Sequence, residues 1–320
     1  VAVLDSCGNR SPISNEHTTM HLQADLDACI QEVNMDWTDY FGFTVDSYSV
    51  ILSVDGGPET TLATYGPSVN DHTHDNLVPF STYCYYILAE GPNGEVSRSN
   101  QVCIFANLPT APQFQYTNFV TVDLLQEYVL LSTYYDDMAD IGYFSIERSN
   151  FPAGPYSQIG TTQLTPGVNP FQYVDNQANY NQQPYWYRVI AIDTCGQEAF
   201  VADSSNTIHL TVSALAGLIN ELNWNEYNYW LGEVDSYDIY RYTTQNNNPV
   251  LIGSVDGNTT TYSDDLNVSM AEGDGIGTYC YFVTANEGPG NTYGFQETST
   301  SNSDCATQTP RLFMPNAFTP

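Results

Sequence analysis

The chain of 320 residues contains no lysine. Its only basic side chains, histidine aside, are six arginines, Arg10, Arg98, Arg148, Arg188, Arg241 and Arg311, against 37 Asp and Glu, and the formal net charge is −31. A chain with so little positive charge repels phosphate, so nucleic acid and anionic membrane surfaces are excluded as partners. The acidic residues are scattered and not gathered in runs, which reads as a solvated surface kept soluble by self-repulsion. No apolar run is long enough to cross a bilayer, so no transmembrane segment is expected. The opening VAVLDSCGN has neither the basic start nor the apolar stretch of a signal peptide. GxSxG, HExxH, a P-loop and GxGxxG ahead of a helix are all missing, and nothing arranges Ser, His and Asp for catalysis. The expectation is a protein that is not an enzyme and carries no organic cofactor. CxxC pairs and zinc-like Cys/His spacings are also absent.

What the chain does contain is tyrosine, 25 of them, within an aromatic content of 13%. Tyr, Thr and Val runs such as EVNMDWTDY, SYSVILSV and STYCYYILAE alternate as half-buried strands, and VDGGP and EGPNGE supply turns. The chain also repeats itself. VAVLDSCGNRSPISNEHTTMHL (1–22) matches VIAIDTCGQEAFVADSSNTIHL (189–210). NMDWTDY around Trp37 matches LNWNEY around Trp224, TYCYYILA matches TYCYFVTA, and SNQVC matches SNSDC. About seven short strands per hundred residues with no helical period predict an all-β chain of sandwiches. The parse is residues 1–24 as the last strands of a preceding sandwich, then sandwiches at 25–108, 109–212 and 213–311, with 312–320 opening a further domain. Both ends read as interior to longer domains.

Seven cysteines at these places fit disulfides and an oxidising, extracellular setting. Cys84 with Cys103 and Cys280 with Cys305 flank matching hairpins, each closure contributing roughly 3 kcal/mol. Cys7 with Cys29 is the remaining plausible pair, which leaves Cys195 unpaired, either free and buried or bonded to another chain. Two places have metal-ligand character. His72 and His74 form an HxH flanked by Asp71 and Asp75, and Asp136, Asp137 and Asp140 cluster in YYDDMAD. Calcium is the ion that would suit the acidic turns, although none completes an EF-hand spacing. Solvated turns are the plainer reading of both. In EYNYW, Tyr227, Tyr229 and Trp230 offer rings for stacking on sugars, against the plainer reading that strand alternation buries half of them.

A Trp in an early strand (Trp37, Trp224), a Y-x-I/V strand and a Tyr-led aromatic strand (Tyr83, Tyr185, Tyr279) together resemble fibronectin type III domains. The resemblance implies that the Trp fills the core from the second strand and that the Tyr begins the sixth, all five being core residues. In the middle repeat the Trp position falls near Ser132. The phrase LFMPNAFTP (312–320) resembles the opening of the gliding-motility-associated C-terminal domain of Bacteroidota surface proteins, a type B sorting signal for the type IX secretion system. DSCGN and YCY resemble the fibronectin-like repeats that precede it. This likeness implies a secreted or cell-surface stalk, adhesin or filament that meets the secretion machinery in transit and self-associates. The alternatives are a spacer of a secreted enzyme and a carbohydrate-binding module.

Overall fold

The computed structural model describes residues 2–13, 16–244, 246–269 and 277–309. The chain forms two compact units, Val1–Pro109 and Thr110–Pro320. The expected opening of a further domain at 312–320 lies outside the described residues.

The first unit contains eight strands that follow a short N-terminal hairpin. They are β1 (Leu22–Asp27), β2 (Glu32–Trp37), β3 (Ser47–Val54), β4 (Thr60–Tyr65), β5 (Asp71–His74), β6 (Thr82–Glu90), β7 (Val96–Arg98) and β8 (Val102–Phe105). They pair antiparallel as β1-β2-β5 in one sheet and β4-β3-β6 in the other, with β7 and β8 sharing the free edge of β6. The second unit repeats this plan twice. The second sandwich has β9 (Gln115–Asp123), β10 (Tyr128–Tyr135), β11 (Ile141–Ser149), β12 (Ser157–Gln163), β13 (Phe171–Asp175), β14 (Trp186–Asp193), β15 (Glu198–Val201) and β16 (Ser205–Asn206). The third has β17 (Leu210–Leu215), β18 (Ile219–Trp224), β19 (Val234–Thr243), β20 (Val250–Asp256), β21 (Thr261–Asp265), the one-turn α1 (Leu266–Ser269), β22 (Gly277–Glu287), β23 (Thr298–Thr300) and β24 (Asp304–Gln308). In all three, a three-stranded sheet faces one of five strands in the same order. The chain is all-β, a tandem of fibronectin III/Ig-like β-sandwiches.

Period-two alternation builds each core. On β2, Val33, Met35 and Trp37 are buried while Asn34 and Asp36 face water. Trp37 meets Tyr48 edge-on at 6.1 Å and Trp224 meets Tyr237 at 5.5 Å, arrangements favoured by the ring quadrupoles. In the second sandwich the tryptophan's place is taken by Thr133, one residue past Ser132. Thr133 pairs with Thr117 of β9 as Trp37 pairs with Leu22 and Trp224 with Leu210. Tyr135 fills the space instead, packed on Phe144 and Phe171. Tyr83, Tyr185 and Tyr279 are buried, yet two residues further on Tyr85, Tyr187 and Tyr281 are buried more completely.

The sandwiches begin earlier than the sequence parse places them. β1 starts at Leu22 and not after residue 24, β17 starts at Leu210 and not at 213, and Met20, Leu22, Ile208 and Leu210 are core residues. The last strand of the second sandwich ends at Asn206 and the first strand of the third starts at Leu210, so no polar linker marks that border. What fixes the entry is an asparagine. Asn302 accepts from Leu210 N (2.6 Å) and donates to Leu210 O (3.0 Å), and Asn100 does the same to Leu22 at 2.7 and 3.0 Å. Each asparagine follows a serine (Ser99, Ser301) that caps the neighbouring strand's N–H.

Disulfides join Cys84 to Cys103 and Cys280 to Cys305 across directly opposed rungs. The expected Cys7–Cys29 bond and the unpaired Cys195 are corrected. Cys7 is exposed with a free thiol, while Cys29 and Cys195 are each disulfide-bonded. Cys7 is held in the Asp5–Asn9 hairpin turn by the Asp5 carboxylate, facing solvent, and Cys29 lies beyond β1, a strand that runs about 20 Å from Leu22. Cys195 sits in the same turn, with Asp193 accepting from the N–H groups of Cys195 and Gln197. Cys7 and Cys195 thus share one turn geometry but differ in bonding.

Candidate functional site: the joint between the second and third sandwiches

The most elaborate arrangement of polar and aromatic groups is at the joint inside the Thr110–Pro320 unit. β9 is the edge strand of its own sheet, and an edge strand ordinarily shows one face to water. Here Gln115, Tyr116, Thr117 and Asn118 are all buried in succession, because the third sandwich covers what the second leaves open. The cover comes from the EYNYW loop between β18 and β19 and from β23.

Each contact satisfies a backbone group that an edge strand would otherwise leave to water. Trp230 donates its indole N–H to Asn118 O at 2.5 Å, Val120 N donates to the Tyr227 hydroxyl at 2.9 Å, and Ser299 donates to Val120 O at 2.7 Å. Thr300 N donates to the Thr121 hydroxyl at 2.8 Å. Buried polar groups stabilise only when paired, and here the pairing crosses the two domains. A second knot centres on the Glu287 carboxylate, buried at the end of β22. It accepts from the Tyr116 hydroxyl (3.1 Å), the Asn291 amide (2.7 Å) and the backbone N–H of Glu297 (3.1 Å). Burial, with a smaller contribution from the carboxylate, pushes the Tyr116 hydroxyl well above the ordinary phenol value. Burial and the Glu287 charge raise the Glu297 carboxyl.

On the other side, Asn206 of β16 donates to Glu226 O and accepts from Asn228 N, stitching the second sandwich's last strand to the same loop. The loop itself needs a close backbone approach. A Cβ on Gly232 would stand 2.2 Å from Gly288 O, and one on Gly288 would stand 2.5 Å from Gly232 O, so both positions need glycine. Phe114, Tyr134, Tyr293 and Phe295 close the outer rim with ring centroids 5.2–5.4 Å apart at tilted or edge-on angles.

The residues singled out from sequence fall elsewhere. Tyr227 and Trp230 are not a sugar platform. They are buried in the joint, and Tyr229, 59% exposed at φ +73°, is the only one of the three that faces solvent. His72 and His74 share the inner face of β5, and their ring Nδ1 atoms meet the hydroxyls of Tyr65 (2.6 Å) and Tyr85 (2.8 Å). Their structural role is visible by comparison. Asp175 and Asp264 hold the place of His74 on β13 and β21, each accepting from an arginine (Arg148, Arg241) and from a buried tyrosine hydroxyl (Tyr187, Tyr281). In the first sandwich Leu52 replaces the arginine, and a neutral His serves the tyrosine where an unpaired carboxylate would be costly. Burial lowers the pKa of both histidines, with the His72 charge a smaller cause at His74. Asp136 and Asp140 spend their oxygens on turn and linker groups, the N–H groups of Gln113, Met138 and Thr110, and Asp137 joins no ligand set. Among the described residues no group of three or more His, Cys, Asp or Glu is placed to hold a metal ion. Nor, among those residues, is there a helix long and apolar enough to cross a membrane.

No family model matches the chain, and no curated protein matches it. Among solved structures, the chain is similar to the FN1–FN3 domains of chicken CNTN1, with 12% identity over 90% of this chain and 98% of that one and a TM-score of 0.27. The strand order and the three repeated cores define the fold.

Proposed function

We propose that this chain is a non-catalytic, load-bearing segment of a secreted or cell-surface protein, a stalk or adhesin shaft whose work is reach and stiffness. One observation supports this reading above the rest. The second and third sandwiches share a desolvated, hydrogen-bonded joint where independent modules would have a linker. Inter-domain contacts that merely tether are smaller and wetter. Six of the seven cysteines are in disulfides, which fits an oxidising, non-cytoplasmic compartment. The LFMPNAFTP phrase adds the proposal that a Bacteroidota type IX route exports it and that copies associate at the surface as a filament or layer. Small-angle scattering of the purified chain tests the mechanical part. A stiff shaft gives one pair-distance distribution that keeps its shape between low and high salt. A distribution that broadens into many conformers would overturn it. Deleting the segment from the surface of the source cells tests the second part, and unchanged adhesion and surface texture would count against it.

A further inference from the structure

The three sandwiches differ at one buried spot, and the difference is chemical. Asn100 and Asn302 each clamp the first strand of their sandwich, and Ser99 and Ser301 precede them. The register fixes the counterparts in the second sandwich. Ala202 N donates to Val189 O as Ser99 N donates to Ile87 O and Ser301 N to Val283 O, so Asp203 stands where the others have asparagine. Thr117 stands where they have Leu22 and Leu210, and Thr133 where they have tryptophan. The changes to Asp203, Thr117 and Thr133 each remove a donor or an apolar group and leave an oxygen.

The oxygens of Thr117 and Thr133 lack partners, while Asp203 is exposed at the cavity's edge. Gln115 commits its Nε2 to Val189 O at 2.8 Å, which fixes the amide and leaves Oε1 buried with nothing donating to it. Thr117 Oγ1 is likewise buried and unpartnered, as are Asn118 Oδ1 and Thr133 Oγ1 close by on the same pair of strands. Gln115 is 8% exposed and Thr117 5%. Together with Asp203 they line a cavity of about 80 Å³, closed on the other side by Tyr229, Trp230 and Leu231 of the third sandwich.

We propose that this cavity is a cation site of the calcium class, with Gln115 Oε1 and Thr117 Oγ1 as neutral ligands, Asp203 as the charged one, and water completing the shell. A buried group of lone pairs without donors is stabilised by a positive charge. A chain of charge −31 concentrates small cations at its surface, and the aromatic wall lowers the dielectric around the ion. Calcium accepts mixed carbonyl, hydroxyl and carboxylate oxygen in irregular geometry, whereas magnesium demands a near-ideal octahedron. With one carboxylate the site belongs in the weak range of extracellular modules, on the order of 10⁻⁴ to 10⁻³ M. The cavity accommodates the ion and about two waters. An ion there fastens the second sandwich's first and last strands directly behind the joint. This inference stands whether or not the segment bears load.

The test uses the whole chain and calcium itself. Isothermal titration and thermal unfolding are run in about 0.1 M sodium chloride with up to about 10 mM calcium, magnesium, or chelator. The expected result is one calcium per chain with a rise in the unfolding midpoint of the Thr110–Pro320 unit that magnesium does not reproduce. D203N installs the residue that both sister sandwiches carry, so it folds, and it is expected to lose the calcium response. T117V is expected to weaken binding several-fold. A wild-type chain with no calcium-specific response would overturn the proposal and assign the cavity to water. A response that survives in D203N or is undiminished in T117V would overturn it equally, placing the ion elsewhere on the acidic surface.

Discussion

Removing the Trp230 indole should uncouple the second and third sandwiches. The ring is 94% buried, being 6% exposed, and it lies between its own loop and the backbone of β9. An indole buries on the order of 200 Å², which at about 25 cal/mol per Å² contributes roughly 5 kcal/mol as an upper bound. Measured truncations of this size cost about 3–5 kcal/mol, the lost N–H bond to Asn118 O included. A W230A change of about 4 kcal/mol corresponds to a roughly thousandfold change in an opening equilibrium. Hydrogen exchange read by mass spectrometry locates that change. The Val120 N–H, held by the Tyr227 hydroxyl, and its neighbours on β9 should exchange up to a thousandfold faster in W230A. W230F, which keeps most of the ring but not the N–H, should lose about 1–2 kcal/mol. The reasoning fails if β9 keeps its protection while β22 alone is weakened, for Trp230 would then be a core residue of the third sandwich and no part of a coupling.

Three further outcomes follow from the repeated elements. N302A leaves Leu210 N and O buried without partners, so urea denaturation should show the third sandwich weakened by roughly 2–5 kcal/mol, while S303A, which loses one hydroxyl bond to Tyr242, should cost about 1 kcal/mol. Replacing both cysteines of Cys84–Cys103 by serine opens a loop of 19 residues and should cost about 3 kcal/mol by thermal unfolding, with the Cys280–Cys305 pair, at 25 residues, costing slightly more. The first sandwich should lose stability on acidification. Burial holds His72 and His74 below the ordinary imidazole value of 6.5, so between that value and their lower folded values the unfolded chain takes up protons that the folded chain refuses. Its unfolding midpoint should therefore be flat above about pH 7 and fall below about pH 6.5, and H72Q/H74Q should flatten the profile.

The sandwiches were legible because their cores obey a two-residue period and because the chain repeats. Trp37, Trp224, Tyr83 and Tyr279 mark equivalent rungs, and TYC with SNxxC identifies two opposed cysteines on neighbouring strands. The joint was not legible, for a physical reason. Alternation reports which residues turn from water, not which body covers them. The run QYTNF of β9 therefore looks like a polar edge, and EYNYW like an exposed aromatic loop, until a second domain is laid on them. The same limit hid the role of His74. Its neighbours in space are Tyr85 and the place of an arginine that the first sandwich lacks, and neither is near it in sequence. The asparagine clamps did carry a signal, since SN recurs after the sixth strand at Ser99–Asn100 and Ser301–Asn302, and its replacement by Ala202–Asp203 marks the divergent member.

The two hairpin disulfides have a meaning under tension. When a chain of sandwiches is pulled by its ends, an unfolding domain lengthens by the contour of every residue released. Cys280 and Cys305 stand 25 residues apart in sequence, roughly 85 Å of chain at about 3.4 Å per residue that tension cannot draw out, and Cys84 and Cys103 stand 19 apart, roughly 65 Å. The second sandwich has Trp186 opposite Asn206 on that rung and no such limit there. The first and third sandwiches therefore release that much less chain when they unfold in oxidised form, and under tension a reducing agent lengthens each of their unfolding steps by the same amounts.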